Sequence, residues 1–169
     1  MSVLQSATAV YPGSFDPITL GHLNVVERVS VLFDRVIIGV GINRDKRPWF
    51  SPEDRVEMVK RSTEHLPNID VRLYEGLTAR FVQHCNARIM IRGVRPITDI
   101  PAELTMMMAN RQLAPDVETL FLIADGELAH VSSSLIREIA PVADDSVLLQ
   151  FLPRQIVPLV RARIQADQK

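Results

Sequence analysis

Turn-forming, hydroxyl and imidazole residues are concentrated in one segment near the start of the chain. Tyr11 to His22 reads Tyr-Pro-Gly-Ser-Phe-Asp-Pro-Ile-Thr-Leu-Gly-His. A glycine beside a helix N-terminus lets an anion approach the backbone N–H groups and the positive end of the helix dipole, and His22 can add a side-chain donor. The segment therefore favours a phosphate-binding loop. The alternative for an isolated Gly-His pair is structural, with the glycine serving a turn and the histidine capping the helix.

Three later segments offer further hydrogen-bond donors for a phosphate. Ser132, Ser133 and Ser134 are predicted to open a late helix, where they can bind a polyphosphate or simply cap the helix. The run Ile91-Arg92-Gly93-Val94-Arg95 is predicted to follow the fourth strand, and guanidinium groups at such a place can bind phosphate through two hydrogen bonds. Lys46 follows the second predicted strand, and alone it would be an ordinary surface lysine.

These segments need a scaffold, and the apolar pattern predicts one. Short β-branched runs alternate with stretches of helical period, such as Leu23–Phe33 with Val26, Val29 and Phe33 on one face. Ser51-Pro52-Glu53 is a helix start with a capping serine and a first-turn proline. The predicted strands are 7–11, 36–42, 69–74, 88–91 and 119–123, and the other predicted helices are 78–85 and 102–113.

Near-continuous apolar strands separated by helices indicate a parallel sheet covered on both faces. The predicted fold class is α/β, a Rossmann-like doubly wound sheet of five parallel strands with helices on both faces. Ligands of such sheets bind beyond the carboxyl ends of the strands, which is where the donor segments lie. Residues 1–169 are predicted to form a single domain with a C-terminal helical tail over about 144–169. Met106, Met107 and Met108 are interpreted as adaptable packing in the core or at an interface.

Composition narrows the classes of function. The 169 residues are 47% hydrophobic and 23% charged, with a formal net charge of -1, which gives no global attraction to nucleic acid or to an anionic membrane. Cys85 is the only cysteine, so an internal disulfide and a multi-cysteine metal site are excluded. No signal peptide or membrane span is recognisable, and we expect a cytoplasmic protein. The sequence lacks a Gly-Lys-Ser/Thr element and a complete dinucleotide-binding glycine pattern.

The segment from Tyr11 to His22 resembles the signature of the nucleotidyltransferase superfamily, in which a Thr/His-x-Gly-His element holds the reacting phosphates. The serine-rich turn Val131 to Arg137 resembles its second element. Arg92-Gly93-Val94-Arg95, followed by Asp99 and Glu103, is similar to the Arg-Gly-Leu-Arg element of the pantetheine-phosphate adenylyltransferase family. The run from Ile100 to Ala102 departs from that family's aromatic-acidic-aromatic pattern.

The resemblance implies transfer of AMP from ATP to 4′-phosphopantetheine, giving dephospho-coenzyme A and pyrophosphate by direct in-line displacement. It implies a catalytic role for His22, which would stabilise charge on the α-phosphate. It implies substrate binding by Ser14, Lys46, Thr78 and Arg92. The ATP contacts that it implies are Ser14, Phe15, His22, Gly93, Val94, Arg95, Glu103, Leu128, Ala129, His130, Val131, Ser132, Ser133 and Ser134.

The family further implies Mg²⁺ bound mainly through the ATP phosphates, coenzyme A or dephospho-coenzyme A as product or feedback ligand, and a homohexamer. No carboxylate cluster in the sequence predicts a metal site built by the protein. Three alternatives stay open. The first is a related enzyme, either one that acts on nicotinate mononucleotide or a cytidylyltransferase. The second is a nucleotide-binding regulatory module without catalysis, and the third is a scaffold protein. We expect neither nucleic acid nor membrane as a partner.

Overall fold

Five parallel strands form the centre of the molecule. A computed structural model describes residues 7–42, 47–94 and 100–167, so the predictions for Lys46 and Arg95 fall outside the described residues. The sheet order is β3-β2-β1-β4-β5, with β1 in the middle. The strands are β1 (Thr8–Gly13), β2 (Arg35–Ile42), β3 (Ile69–Glu75), β4 (Ile89–Val94) and β5 (Glu118–Ile123).

Helices connect and follow the strands, as the apolar pattern predicts. They are α1 (Leu20–Ser30), α2 (Pro52–Thr63), α3 (Thr78–His84), α4 (Ile100–Leu113), α5 (Ser133–Ile139), α6 (Asp145–Leu148) and α7 (Val157–Asp167), with a 3₁₀ turn at Arg154–Ile156. The predicted fold class, a doubly wound parallel α/β sheet, is confirmed.

Strand side chains alternate between two buried faces. Tyr11 and Ile38 pack with residues of α1, α2 and α7 on one face, whereas Val10, Ile37 and Met90 pack on the other face with α3 and the turn that precedes β5. Because alternate residues of a strand point to opposite faces, β1 is buried on both sides. The central strand is therefore fixed by packing as well as by its two neighbours.

Helix α1 begins earlier and ends earlier than the predicted range Leu23–Phe33. The Thr19 side chain caps the helix, so that its first turn already contains Leu20 to His22. At the other end the Asn68 side chain donates to the carbonyl oxygens of Ser30 and Phe33, at 2.8 and 2.9 Å. These bonds satisfy carbonyl groups that a longer helix would use internally. Phe33 lies beyond the helix and packs against the core.

Strands β1 and β4 extend further than predicted, because their neighbours continue the ladder. Pro12 pairs with Gly39 and Gly13 with Val40, so two residues of the presumed loop belong to β1. Arg92 pairs with Phe121 in the same way, and β4 continues to Val94. The Arg-Gly-Val run, with its hydrogen-bond donors, therefore lies within a strand instead of after it.

The C-terminal tail packs against the main core. Leu152, Ile156 and Val160 are fully or almost fully buried in the cluster that includes residues of α1 and α2. The methionines of α4 behave differently, since Met106 and Met108 are 55% and 64% exposed. The interpretation of the three methionines as packing in the core or at an interface stays a prediction, and the exposure of Met106 and Met108 favours an interface. No helix in the described ranges has the length and apolar character that crossing a bilayer requires.

Candidate active site at the carboxyl edge of the sheet

A cavity of about 470 Å³ lies at the carboxyl ends of β1 and β4. This volume falls in the usual range of small-molecule sites. Most of the predicted site residues line it, namely Ser14, His22, Arg92, Gly93, Val94, Glu103, Leu128, Ala129, Val131, Ser132, Ser133 and Ser134. Segments that are more than a hundred residues apart in sequence thus meet at one cavity.

Three predicted residues within the described ranges do not line this cavity. Phe15 is fully buried beneath it, with its ring edge-on to His22 at a centroid distance of 5.2 Å. Thr78 opens α3 and shares a hydrogen bond of 3.0 Å with the Tyr74 hydroxyl. His130 is exposed and lies edge-on to Phe151. Their assignments to ligand binding stay predictions.

His22 is held by the cap of its own helix. Its Nδ1 accepts the backbone N–H of Thr19 at 3.1 Å and lies 2.8 Å from the Thr19 hydroxyl, while the His22 backbone N–H donates to that hydroxyl at 3.4 Å. Since Nδ1 is an acceptor, the neutral ring carries its proton on Nε2. The capping box therefore makes Nε2 the nitrogen that can donate to a phosphoryl oxygen.

Gly21 brings α1 close to the turn that precedes the serines. A Cβ atom at this position would lie 3.2 Å from the carbonyl oxygens of both Leu128 and Val131. A side chain would push these segments apart. The adjacent Leu20 N–H donates to the Phe151 carbonyl at 2.8 Å, so the C-terminal region satisfies one of the first N–H groups of the helix.

Two buried charged side chains tie the loop after β1 to the segment after β2. The Asp16 carboxylate accepts the backbone N–H groups of Trp49 and Phe50 at 2.8 and 2.9 Å. Arg55 is 3% exposed and donates to the carbonyl oxygens of Ser14 and Gly41. Burial lowers the pKa of Arg55, and the Asp16 carboxylate opposes that shift. These bonds fix the Ser14 loop from both sides.

Arg92 and Glu103 form a pair across the cavity wall. Nε and Nη2 of Arg92 donate to the two carboxylate oxygens of Glu103 at 2.7 and 2.6 Å, and Nη1 donates to the Pro12 carbonyl at 3.2 Å. Burial alone would lower the pKa of Arg92, but the hydrogen-bonded Glu103 carboxylate raises it above its ordinary value. Arg92 therefore stays charged and is held in one orientation by α4 and β1.

The serine turn caps a helix and also lines the cavity, so its role in binding a polyphosphate stays a prediction. Ser132 is the N-cap of α5, and its hydroxyl accepts the Leu135 N–H at 3.2 Å. The Ser133 hydroxyl donates to the Pro17 carbonyl at 2.8 Å, which joins this turn to the loop after β1. Capping is thus confirmed for Ser132, and all three serines also line the cavity.

Some residues of the cavity wall were not predicted, and Arg137 is the clearest. It lies one helical turn after Ser133 on α5, and its Nη1 is 3.7 Å from the Asp16 carboxylate. The spacing of four residues from a predicted site residue was a usable signal. Tyr11 also lines the cavity, although it lies inside β1.

The wall of the cavity is rich in hydrogen-bond donors. It combines hydroxyl, imidazole and guanidinium groups with the N-terminus of α1, which suits a polyanion. Over the described residues, no group of three or more His, Cys, Asp or Glu side chains could hold a metal ion. The carboxylate of Glu103 is engaged by Arg92. The arrangement can position phosphoryl groups and stabilise negative charge on them.

The cytidylyltransferase-like family matches residues 10–139, which places this parallel α/β sheet, with its hydrogen-bond donors at the carboxyl edge, in the nucleotidyltransferase class. A protein of Rhodopirellula baltica named phosphopantetheine adenylyltransferase is 52% identical over 96% of this chain and 92% of that protein. One of the same name from Nostoc punctiforme is 47% identical over 78% of this chain and 72% of that protein. The chain belongs to the phosphopantetheine adenylyltransferase family.

A solved structure supports the fold independently. A Vibrio parahaemolyticus protein described as a candidate nicotinate-nucleotide adenylyltransferase superimposes with a TM-score of 0.69 over 94% of both chains. Its sequence identity is 16%, so this likeness concerns the fold alone.

The capping box gives a testable prediction. Thr19→Val keeps the shape of the side chain but removes the hydroxyl, and we expect the free energy of unfolding to fall by about 1 kcal/mol, the usual loss for an N-cap. We also expect the His22 imidazole shifts to change, because Nδ1 loses its 2.8 Å contact with the hydroxyl, while the backbone N–H of residue 19 still favours a proton on Nε2. Urea unfolding measures the first effect, and imidazole ¹⁵N chemical shifts measure the second.

Thr19→Ser is the matched control, because it keeps the hydroxyl and removes one buried methyl group. It should retain the His22 shifts of the native protein. Equal His22 shifts in the native protein and Thr19→Val would contradict the assigned role of Thr19.

Proposed function

We propose that this protein transfers AMP from ATP to 4′-phosphopantetheine and releases pyrophosphate, a step of coenzyme A biosynthesis. The observation that carries the proposal is the convergence of His22, Arg92 and the serine turn on one cavity, in a chain 52% identical to a named phosphopantetheine adenylyltransferase. The product, dephospho-coenzyme A, contains parts of both substrates. It and coenzyme A would therefore compete with the substrates for the cavity.

The proposed chemistry needs positioning instead of a nucleophile from the protein. A phosphate monoester is ionised near neutral pH, so its oxygen can attack the α-phosphorus of ATP without a general base. The bond from the α-phosphorus to the bridging oxygen breaks, and pyrophosphate leaves with that electron pair. The protein must hold two anions in line and stabilise charge as it develops. Donors held in place before the reaction serve this purpose well.

Each donor has a proposed role. His22 stabilises the charge on the α-phosphate through Nε2, and its capping box supports this role by fixing the ring. Ser14 and Lys46 hold the attacking phosphate, and Arg92 orients it with the N–H groups that Glu103 and Pro12 do not occupy. Thr78 contacts the pantetheine arm. ATP lies against the remaining predicted residues, from Phe15 and Gly93 to Arg95, and from Leu128 to Ser134.

Glu103 has a different proposed role from the one that the resemblance implies. Both of its oxygens accept N–H groups of Arg92. We therefore infer that it acts on the substrates mainly by orienting Arg92. The remaining lone pairs of the carboxylate are available to ATP.

Mg²⁺ fits this site only in company with the nucleotide. Over the described residues, Glu103 is the only carboxylate in the cavity wall, and both of its oxygens accept N–H groups of Arg92, so the wall offers no set of free carboxylate ligands for a divalent cation. The ion neutralises the charge of the ATP phosphates when it is bound. ATP is supplied in the cytoplasm, which is the proposed location.

Direct observation of the product tests the function. With 4′-phosphopantetheine, ATP and Mg²⁺, we expect mass spectrometry to detect dephospho-coenzyme A together with an equal amount of pyrophosphate. Nicotinate mononucleotide serves as the comparison substrate, and CTP serves as the comparison nucleotide. Preferred turnover of either one, or ATP binding without pyrophosphate release, would replace the proposal with one of the alternatives.

The role of His22 gives a second prediction. His22→Ala should lower kcat about 10²–10³-fold, the typical loss of one preorganised donor, and should change the KM for ATP much less. His65→Ala is the control, because His65 is exposed and pairs with Glu27 instead of lining the cavity. Native turnover in His22→Ala would remove this residue from the mechanism.

We further propose a homohexamer with α4 in a subunit contact. Ile100, Leu104 and Met108 recur every four residues along α4, and all three are exposed. A single exposed apolar residue is ordinary, but a stripe of this kind marks an interaction surface. The helix also carries Glu103, so such a contact would support the Arg92 pair.

Light scattering after size exclusion tests the assembly. The native protein should have a mass near six times 19.0 kDa. The double variant Leu104→Lys, Met108→Lys should have a lower mass, because charges in an apolar contact lose solvation. Val142→Lys is the control, since Val142 is exposed outside α4. A native monomer would contradict the proposal.

A further inference from the structure

The Tyr11 side chain lies at the floor of the cavity. It is 5% exposed and projects from β1 on the face that α1 covers. Its ring is edge-on to Phe15 at a centroid distance of 5.4 Å, and Phe15 is in turn edge-on to His22. The three rings pack in series, so aromatic contacts hold the Tyr11 ring in addition to its strand.

The hydroxyl of Tyr11 lies against the backbone of Gly93. A Cβ atom at Gly93 would be only 2.8 Å from Tyr11 Oη and 3.6 Å from Val25, and all three residues line the cavity. Within the described ranges, no side chain or backbone group forms a hydrogen bond with Oη. The oxygen is also absent from the fully enclosed polar atoms that lack a partner. The cavity therefore reaches it.

A phenol hydroxyl in this position is unfavourable for folding. Removing it from bulk water without a partner costs free energy that a phenylalanine would not lose. Burial raises the pKa of Tyr11 above its ordinary value, although the nearby Arg92 opposes this shift. The group is therefore a protonated donor throughout the physiological range. A donor of this kind, exposed only to the cavity, lacks a purely structural explanation.

We infer that Tyr11 is a nucleotide-positioning residue whose hydroxyl donates to a sugar or phosphoryl oxygen of ATP where the nucleotide crosses Gly93. This inference rests on the proposed function. The face of the sheet decides which substrate is involved. Gly93 faces Tyr11 and Val25 of α1, whereas Arg92, the preceding residue of β4, directs its guanidinium to Glu103 of α4. We therefore assign the contact to the nucleotide beside Gly93, although the charges of Arg92 and Glu103 lie close enough to act on the Tyr11 hydroxyl.

Tyr11→Phe tests the inference, because it removes one oxygen and keeps the ring. By calorimetry we expect the Kd for ATP to rise about fivefold to tenfold, the usual effect of one lost hydrogen bond. The KM for 4′-phosphopantetheine should not change. The unfolding temperature of the ligand-free variant should be no lower than that of the native protein, since no hydrogen bond within the protein is lost.

Tyr74→Phe is the matched control, because Tyr74 is the only other tyrosine and its hydroxyl has a partner, Thr78. It should lower the unfolding temperature and leave the Kd for ATP unchanged. The affinity for adenosine, which lacks phosphates, identifies the oxygen that accepts the hydrogen bond from Tyr11. A loss of affinity for both adenosine and ATP assigns the sugar, and a loss for ATP alone assigns a phosphoryl oxygen.

Two results would overturn the inference while leaving the proposed function intact. One is an unchanged Kd for ATP in Tyr11→Phe. The other is a lower unfolding temperature of the ligand-free variant, comparable to that of Tyr74→Phe, which would make the hydroxyl structural. If the native protein failed to bind ATP, the proposed function would fail first and this inference with it.

Discussion

The parallel pairing of β1 with β2 on one side and β4 on the other is the constraint on which the rest of the structure depends. Parallel strands end at the same edge, so every loop that follows a strand is delivered to one rim. The cavity lies where the chain leaves β1 for α1 and where β4 ends. A change in register would turn Tyr11 to the opposite face of the sheet and would separate Arg92 from the Pro12 carbonyl.

Polar contacts then restrict the motion of the loops and side chains at this edge of the sheet. Asp16 and Arg55 hold the loop after β1, Thr19 holds the His22 ring, and Glu103 holds Arg92. The groups that carry charge or donate hydrogen bonds are therefore oriented before any ligand binds. In a reaction that requires alignment of two anions, this order reduces the reorganisation needed during the chemical step.

The sequence alone predicts the sheet and its helices, because hydrophobic period and turn chemistry are local signals. Most of the cavity wall is predicted by the resemblance of the motifs to a known family. The sequence misses features that depend on distant segments. The ends of β1 and β4 were placed too early, since the ladder continues only where β2 and β5 provide partners. The Arg92–Glu103 pair and the position of Tyr11 likewise follow from packing between elements. Residue identity at Arg92 and Glu103 indicated function, but their mutual contact was not readable.

The hydrogen bond from the Leu20 N–H to the Phe151 carbonyl has a consequence for biogenesis. It joins the first turn of α1 to a residue 131 positions further along the chain, which leaves the ribosome correspondingly later. A nascent chain halted before Phe151 would leave that N–H to water, and it would lack the buried Leu152 and Ile156 that pack beneath α1 and α2. The loop before α1 therefore reaches its full set of contacts only after Phe151 has been synthesised, long after its own residues.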